Sequence, residues 1–331
     1  MATAPDPGLV ARFAADLAAA LGRDVAPDEQ VALAVSGGPD SMAMLFLAHA
    51  ALPGQVMAAT VDHQLRAGSG DEAAMVARYC DELDVRHATL TPDAPIAGAS
   101  LQARAREARY AALEHWAAKS SAKILLTAHH ADDQAETFLM RAARGSGLAG
   151  LAGIRSQQAM GRILVVRPLL GWRRSELRTL ATSLALPFVD DPSNVDSRHD
   201  RARFRALLAT TPELDITGLA ASAAYAAEAD ATLGEMTDLL MEERRQPSED
   251  GTLAADIGTL PRELQRRLTR AAISAVRLIC GITRPDFSPA TNIEPLLDAL
   301  AAGTAATQAG ILVTPKGTIW RFAEAPPRRS A

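Results

Sequence analysis

Short apolar strands alternate with longer helical segments through the first half of the sequence, and this alternation restricts the fold more than any other feature. Predicted strands cover residues 31–35, 56–61, 85–90, 123–127 and 163–167. Predicted helices cover residues 9–21, 40–51, 71–83, 101–118, 132–144 and 173–185. Strands joined by helices form βαβ units, in which a parallel sheet carries helices on both faces. The sequence therefore predicts an α/β fold with ligands at the carboxyl ends of the strands, after Val35, Val61 and Thr127.

The second half of the chain has a different pattern and predicts a second domain. The chain has 331 residues, which is more than one hydrophobic core usually supports. Pro212 interrupts it, and helices are predicted at residues 215–245 and 260–279. One more helix and two strands, near residues 311–313 and 318–322, complete the pattern. We therefore expect an α/β domain at residues 1–212 and a smaller, mostly helical domain at residues 213–331.

Composition and cysteine content exclude several classes of protein. Hydrophobic residues make up 48% of the chain, which excludes a wholly disordered protein. The longest apolar runs are shorter than the roughly 20 residues that span a bilayer, and the first twenty residues lack the pattern of a secretory signal. Cys80 and Cys280 form neither a C-x-x-C motif nor a disulfide framework. These features predict a cytoplasmic protein that does not bind membranes.

A glycine-rich turn follows the first predicted strand and precedes a helix. Its sequence is Ser36-Gly37-Gly38-Pro39-Asp40-Ser41. Adjacent glycines let the backbone approach an anion closely, and the N-terminus of the next helix favours negative charge. Asp40 could hold Mg²⁺ against phosphate oxygens, while Ser36 and Ser41 can donate hydrogen bonds from their hydroxyls. The turn is neither a Walker loop nor a G-x-G-x-x-G motif. A serine–glycine turn with an aspartate helix cap is the structural alternative.

Three acidic residues lie near the start of the helix that follows the fourth predicted strand. Asp132, Asp133 and Glu136 share about 100° of the helix surface. Acids in a first helical turn can simply complement the helix dipole. Three neighbouring carboxylates repel one another, however, and an amine or Mg²⁺ would relieve that repulsion. His129 and His130 precede them, so a metal-hydrolase site stays open as an alternative.

Arginine is concentrated in one stretch of the chain. Residues 141–210 contain twelve arginines and five acidic residues, a local net charge of +7, although the whole chain carries −5. Arginine binds phosphate through parallel hydrogen bonds, and the interleaved Trp172, Phe188 and Phe204 could stack on unpaired bases. The stretch therefore predicts contact with RNA. Two alternatives stay open: an arginine bias of the whole proteome, and an internal ion network with Asp190, Asp191, Asp196 and Asp200.

Four motifs together resemble a known family. The turn at residues 36–41 resembles the S-G-G-x-D-S loop of the PP-loop ATP pyrophosphatases, which split ATP into AMP and pyrophosphate. The later motifs are Val61-Asp62-His63-Gln64-Leu65-Arg66, then His129-His130-Ala131-Asp132-Asp133-Gln134-Ala135-Glu136, and finally Asp190-Asp191-Pro192-Ser193-Asn194 before Arg201-Ala202-Arg203-Phe204-Arg205. In this order they are similar to the tRNA(Ile)-lysidine synthase family over residues 30–206.

The resemblance implies a reaction and assigns roles to residues. Family members adenylate the C2 oxygen of the wobble cytidine in the CAU anticodon of tRNA(Ile), and the side-chain amine of free L-lysine then displaces AMP. The resemblance places ATP on residues 36–41, with Mg²⁺ on Asp40, and lysine on Asp133 and Glu136. It also places Arg109 near the phosphate or the cytidine. His129 lies beside the acids and is a candidate polar group near the adenylated base, with a structural histidine as the alternative. Arg201, Arg205 and the C-terminal domain would contact the tRNA.

The sequence departs from the family pattern in two places, and other functions stay open. Ala202 stands where the family usually has asparagine, and the chain is shorter than members with an additional C-terminal domain. A tRNA thiolase of the same superfamily is disfavoured because the sequence lacks a C-x-x-C motif. A ligase for a small metabolite would not need the arginine-rich stretch, and a noncatalytic RNA-binding module would not need Asp40. The sequence leaves the oligomeric state open, with a homodimer as one alternative.

Overall fold

The chain folds into two compact units. The computed structural model describes residues 6–63, 68–92, 101–190, 200–249, 251–289 and 291–326. By its internal contacts the chain divides into Met1–Ala227 and Glu228–Ala331. The domain boundary predicted at residues 212/213 lies fifteen residues before this division, because the helix that follows Pro212 begins in the first unit and ends in the second.

The first unit is built around a six-stranded sheet. The strand order is β3-β2-β1-β4-β6-β5, in which β5 alone runs antiparallel to its neighbour. In chain order the elements are α1 (Pro7–Leu21), β1 (Val31–Ala34), α2 (Pro39–Ala51), β2 (Val56–Val61), α3 (Ser69–Glu82), β3 (Arg86–Leu90), α4 (Leu101–Lys119), β4 (Ile124–Thr127), α5 (Ala131–Ala142), α6 (Leu148–Leu151), β5 (Gln157–Met160), β6 (Ile163–Val166), α7 (Arg174–Ser183) and α8 (Asp200–Thr210). The α/β fold predicted from the sequence is confirmed.

Helices cover both faces of this sheet. Side chains alternate along β1, so Val31 and Leu33 pack into the core formed with α1, α2, α3 and α7. Ala32, between them, packs with Leu113 and Ala117 of α4 on the opposite face. Because both faces are covered, the central strands are apolar throughout, which is typical of a parallel sheet. The order of the strands reverses between β1 and β4, and ligands bind at such a point in open α/β sheets.

Three elements of the first unit were not predicted. The glycine-rich segment at residues 145–153 contains the short helix α6, and three of the four residues of the edge strand β5 are exposed. Helix α8 lies in the arginine-rich stretch, for which the sequence predicts contact with RNA or an internal ion network but no helix. These elements lack the regular apolar spacing on which sequence prediction depends.

The second unit combines helices with a small antiparallel sheet. Its strand order is β7-β8-β11-β10-β9. The elements are the end of α9 (Ile216–Arg244), then β7 (Arg245–Gln246), β8 (Leu253–Asp256), α10 (Arg262–Ile279), α11 (Glu294–Ala301), β9 (Ala306–Gln308), β10 (Ile311–Lys316) and β11 (Ile319–Glu324). Trp320 and Phe322 of β11 pack against Ile273 and Val276 of α10. The sequence indicated the helices and two of these strands, but not β7, β8 or β9, which are two to four residues long.

None of the helices in the described part of the chain is both long enough and apolar enough to cross a membrane.

Candidate active site

The candidate site lies where β1 and β4 end side by side. Ala34 of β1 pairs with Thr127 of β4, so the turns that follow the two strands start at the same edge of the sheet. The first turn leads into α2 and carries the predicted nucleotide loop. The second leads into α5 and carries the acidic cluster. The site therefore joins two sequence segments that lie almost 100 residues apart.

The nucleotide loop at residues 36–41 is held mainly by its own polar groups. The Ser36 amide donates to Oγ of Ser41 at 3.1 Å, and the Ser41 hydroxyl donates to the Gly38 carbonyl at 3.0 Å. Gly37 has φ of +83°, a conformation that side chains with a Cβ rarely adopt. Its carbonyl accepts from the Val189 amide at 2.9 Å. No described side chain caps the N-terminus of α2 at Gly38, which is the arrangement that suits an anion.

One carboxylate oxygen of Asp40 lacks a partner among the residues that the structure describes. Its Oδ1 is buried and makes no hydrogen bond within the described part of the chain, while Oδ2 lies 3.4 Å from Nε2 of His130. A buried acceptor without a donor is costly, and a cation would satisfy it. A carboxylate beside an anion-binding turn has the donor chemistry of a Mg²⁺ site, since Mg²⁺ is usually bound by one or two carboxylates together with phosphate oxygens. Asp40 therefore fits the predicted metal role.

His130 connects the nucleotide loop to α5. Its side chain is buried, and it caps α5 by accepting from the Asp133 amide at 3.4 Å, while the Asp133 carboxylate accepts from the His130 amide at 3.1 Å. Nε2 of His130 is also 3.6 Å from Oδ2 of Asp133, close to its distance from Asp40. Burial alone would lower the pKa of His130, but the hydrogen bond to Asp40 and the charge of Asp133 outweigh it and raise the pKa. From the sequence, His130 is a candidate only for the alternative metal-hydrolase site.

The three predicted acids divide into two groups. Asp132 accepts from the Arg174 amide at 2.8 Å and from Nε of Arg173 at 3.3 Å. In return, the amide of Ala131 donates to the Trp172 carbonyl at 2.8 Å. The first turns of α5 and α7 are thus bound to each other, and Asp132 is engaged in that contact. Burial would raise the pKa of Asp132, but the Arg174 amide and Arg173 outweigh it and lower the pKa.

Asp133 and Glu136 pair with two arginines of α8. Oδ1 of Asp133 accepts from Arg201 at 2.9 Å, and Oε2 of Glu136 accepts from Nε of Arg201 at 2.7 Å. Arg205 donates from Nε to Oε1 of Glu136 at 2.7 Å. We call these four residues the carboxylate–arginine cluster. Burial would raise the pKa of Asp133, but His130 and Arg201 outweigh it and lower the pKa.

This cluster brings together residues for which the sequence predicts different substrates. Asp133 and Glu136 were assigned to lysine, and Arg201 and Arg205 to RNA. Arg201 and Arg205 therefore take part in an ion network whose described partners are Asp133 and Glu136, which the sequence did not suggest. Asp191 and Asp196, which were also considered as partners, lie outside the described residues, and Asp190 pairs with Arg178.

His129 and Arg109 occupy separate positions around the site. Nδ1 of His129 is 2.9 Å from the Thr127 hydroxyl, and burial lowers the pKa of His129 to about 3. His129 is therefore neutral at physiological pH. Arg109 of α4 donates from Nε to Nε2 of His63 at 3.2 Å, beyond the end of β2. Gln64, Leu65 and Arg66 of the same motif lie outside the described residues.

Gln134 fixes the segment that follows α5. Its buried amide donates to the Ile154 carbonyl at 2.8 Å and accepts from the Ile154 amide at 2.6 Å. The preceding Gly153 has φ of +63°, and a Cβ there would lie 2.4 Å from Oε1 of Gln134. The end of the glycine-rich segment is therefore fixed against α5, and it is not a free linker.

The geometry also bears on the alternative functions. Within the described ranges, no three or more His, Cys, Asp or Glu side chains are grouped so that they could hold a metal ion, so the metal-hydrolase alternative has no ligand set there. Cys80 is fully buried in α3, and burial raises its pKa to about 12, which is unsuited to a nucleophile. Cys280 lies in the second unit. The thiolase alternative is therefore not favoured.

Comparison with known proteins agrees with this fold. Residues 10–211 match the family model described as the PP-loop domain. Among solved structures, a U34-tRNA thiolase from Methanococcus maripaludis, with its [4Fe-4S] cluster, is similar with a TM-score of 0.56 and 20% sequence identity. That similarity covers 66% of this chain and 78% of that chain, and it concerns the fold alone. The fold and the loop at residues 36–41 thus define a protein with a PP-loop ATP-binding domain.

Sequence relatives narrow this class. A tRNA(Ile)-lysidine synthase from Novosphingobium aromaticivorans is 42% identical over 326 residues, which cover 98% of this chain and 96% of the relative. The chain belongs to the tRNA(Ile)-lysidine synthase family. A second relative of the same name, from Zymomonas mobilis subsp. mobilis, is 38% identical and covers 91% of this chain and 90% of its own length. The family resemblance predicted from four motifs is therefore confirmed.

Proposed function

We propose that this protein ligates lysine to the wobble cytidine of a CAU-anticodon tRNA(Ile) in the cytoplasm, with ATP as the energy source. The cytidine C2 oxygen attacks the α-phosphorus of ATP, and pyrophosphate leaves. The side-chain amine of lysine then attacks C2, loses a proton, and displaces AMP together with the C2 oxygen. The observation that carries the proposal is the link that His130 makes between Asp40 of the nucleotide loop and Asp133 of α5. One buried side chain thus holds the two proposed substrate sites within reach of each other.

The nucleotide loop has the properties that the first step requires. The amides around Gly37 and Gly38 precede α2, whose N-terminus favours the phosphates of ATP. Asp40 would hold Mg²⁺ through its unpartnered Oδ1, and the metal would neutralise charge on the phosphates. Hydroxyl groups of Ser36 and Ser41 lie 3.2 Å apart and can reorient toward phosphate oxygens. In this proposal, residues 36–41 bind and orient ATP for attack at the α-phosphorus.

The two paired carboxylates have the properties that lysine binding requires. Asp133 and Glu136 are charged groups with little access to water, since their side chains are 13% and 1% exposed. Carboxylates in such a place need a cationic partner, and the ammonium groups of lysine supply one. His129 is neutral and faces the same charges, so it can hydrogen bond to the cytidine without adding charge. Arg109 lies beyond the end of β2, and from there it would contact the phosphate or the cytidine.

The decisive experiment measures ATP-dependent transfer of labelled lysine to tRNA. We expect label on tRNA(Ile) with a CAU anticodon, with release of one AMP and one pyrophosphate for each lysine incorporated. A tRNA with a UAU anticodon is the control for the base, because uridine lacks the amino group of cytidine. Asp40→Asn is the control for the loop, because it keeps the shape of the side chain and removes its charge. Label that appears without ATP, or equally on both tRNAs, would contradict the proposal.

A further inference from the structure

The carboxylate–arginine cluster raises a question that the proposed function does not answer. Lysine is assigned to Asp133 and Glu136, yet both carboxylates already accept hydrogen bonds from guanidinium groups. Arg201 bridges the two carboxylates, and Arg205 binds the other oxygen of Glu136. RNA phosphate is assigned to the same two arginines. A guanidinium group cannot hold a buried carboxylate and an RNA phosphate with the same donors at the same time.

The charges of the cluster indicate that an arginine and an ammonium group of lysine cannot occupy it together. Two carboxylates face two guanidinium groups, so the cluster is neutral as it stands. An ammonium group that entered while both arginines remained would leave an excess positive charge in a place with little water. If an arginine leaves as the ammonium enters, the charge balance is preserved. Lysine binding is therefore an exchange of one cation for another.

The exposure of the four side chains indicates which partner moves. The carboxylates belong to the first turns of α5 and are nearly buried, whereas the side chains of Arg201 and Arg205 are 39% and 26% exposed. The arginines therefore reach Glu136 from the solvent side, at the end of long flexible side chains. Departure toward solvent breaks the hydrogen bonds to Asp133 and Glu136 by rotation of these side chains, and α8 can stay in place.

RNA phosphate is the ligand that matches the departing groups. The planar fork of arginine bonds two phosphate oxygens as well as it bonds two carboxylate oxygens. The surrounding stretch of residues 141–210 has a net charge of +7, so it attracts a polyanion. The phosphates of an RNA bound there would accept hydrogen bonds from the guanidinium groups when these groups leave the carboxylates.

We propose that Arg201 and Arg205 occupy the lysine-binding carboxylates until RNA phosphates draw them away, so that tRNA and lysine bind with positive coupling. This inference rests on the proposed function, because it uses the same assignment of lysine and RNA. The arginines protect two buried charges when no substrate is bound. They also keep free lysine from binding before an RNA acceptor is present. By thermodynamic reciprocity, lysine raises the affinity for RNA by the same factor by which RNA raises the affinity for lysine.

The first test uses the unaltered protein. Lysine binding is measured by calorimetry without ATP, in the absence and in the presence of a saturating anticodon stem-loop with the CAU sequence, at one ionic strength. We expect the RNA to lower the Kd of lysine by about 5- to 150-fold, and lysine to lower the Kd of the RNA by the same factor. Equal lysine affinity with and without RNA, or tighter lysine binding without RNA, would overturn the inference.

The second test changes one arginine. Arg201→Gln keeps a hydrogen-bonding side chain but removes the charge that competes with lysine. We expect this variant to bind lysine more tightly than the wild type in the absence of RNA, and the coupling to fall toward unity. Arg78→Gln, at an exposed position of α3 and outside the arginine-rich stretch, is the control and should keep the wild-type coupling. If Arg201→Gln weakens lysine binding in the absence of RNA, the guanidinium group is part of the lysine site and the inference is wrong.

The outcome also separates this inference from the proposed function. If labelled lysine is transferred to tRNA while the coupling factor equals one, the proposed function stands and the exchange of cations does not. If lysine is neither bound nor transferred under any condition, both fail. Thermal unfolding of each variant shows whether it is folded. The coupling measured with the wild-type protein does not depend on any variant.

Discussion

The nucleotide loop and the carboxylate–arginine cluster lie on neighbouring strand ends but are stabilised in different ways. The loop is held mainly by hydrogen bonds between residues that are three to five positions apart, and Oδ1 of Asp40 has no partner among the described residues. The cluster is held by ion pairs between residues that are 65 to 69 positions apart, and both of its carboxylates are paired. The loop is thus prepared to accept a ligand directly. In the proposed exchange, the cluster releases a guanidinium group as it accepts an ammonium group.

This difference separates two ways of building a binding site. A local turn can present amides and a carboxylate without cost to the rest of the fold, since its own backbone supports them. Two nearly buried carboxylates cannot be left without a counter-charge, so another helix has to supply it. We therefore expect changes in the loop to affect catalysis with little effect on stability. Changes in the cluster should affect stability and lysine binding together.

The largest effect is expected for Asp40→Ala, which tests the loop side of the comparison. Loss of the carboxylate removes the proposed Mg²⁺ ligand, and metal stabilisation of phosphate charge contributes several kcal/mol, so ATP cleavage should fall by at least about 100-fold. RNA affinity and thermal stability should remain close to wild type. The measurement is tRNA-dependent release of pyrophosphate, with Asp28→Ala at an exposed position as the control. ATP turnover near the wild-type rate would refute the assignment of Asp40.

The next effect is expected for Asp133→Asn, which tests the cluster side. A hydrogen bond to a charged group contributes about 1.5–3 kcal/mol, so the KM for lysine should rise by roughly 10- to 150-fold. The KM for ATP should change much less. Asp132→Asn is the matched control on the same helical turn, because Asp132 binds α7 rather than the cluster. Equal weakening toward lysine and ATP in Asp133→Asn would favour a metal role for this carboxylate.

A smaller effect is expected from His129 on the pH dependence of stability, because burial lowers the pKa of His129 to about 3. An unfolded histidine binds a proton near pH 6.5. Below that pH the histidine binds a proton in the unfolded state but not in the folded state. The free energy of unfolding therefore falls by up to about 1.4 kcal/mol for each pH unit. This contribution is fully present above pH 6.5 and is lost as the pH falls toward 3.

Urea unfolding of wild type and His129→Gln between pH 7.5 and 5 measures this contribution, and the variant should show the shallower dependence. Asp133, Arg167, Arg106 and Arg201 act on the same ring and are unchanged in the comparison. His115→Gln, at an exposed position of α4, is the control and should keep the wild-type dependence. Identical slopes for wild type and His129→Gln would mean that His129 is not held in its neutral form.

The smallest effect is expected in the salt dependence of tRNA binding, which tests whether the cluster arginines contact phosphate. Arg201→Ala and Arg205→Ala should each lower tRNA affinity and reduce the slope of log affinity against log salt concentration by roughly 0.7 for each phosphate contact that is lost. Arg23→Ala, which removes an exposed pair with Glu29 at the end of α1, should leave the slope unchanged. Salt titrations of tRNA binding test this. An unchanged slope in both cluster variants would mean that the arginines serve only the internal network.

The parts of the site that the sequence predicts are those whose contacts are local. The loop at residues 36–41 and the acids of α5 follow from strand–turn–helix patterns, because the residues that form them are neighbours in the chain. The pairing of α8 with α5 does not follow from the sequence, since no local pattern joins Glu136 to Arg205. The role of Asp132 was equally inaccessible, because it depends on the path of the chain before α7.

His130 is an intermediate case. A polar residue followed three positions later by an acid is the pattern of a capping box, and His130 with Asp133 forms one. The sequence therefore contained a signal for its position at the start of α5. Its second contact, with Asp40, depends on β1 and β4 being neighbours in the sheet, which the order of strands along the chain does not reveal.

The two hydrogen bonds between Gln134 and Ile154 have a consequence for how the length of this chain can vary. They fix the end of the segment between α5 and β5, so an inserted or deleted residue near Gly153 would shift Ile154 out of reach. At the beginning of the segment the backbone hydrogen bonds are local, such as that from the Ser146 amide to the Arg141 carbonyl, and a Cβ at Gly147 would meet no atom within 4 Å. Length differences among homologues, and peptide tags introduced by engineering, should therefore be tolerated better at Gly147 than at residues 152–154.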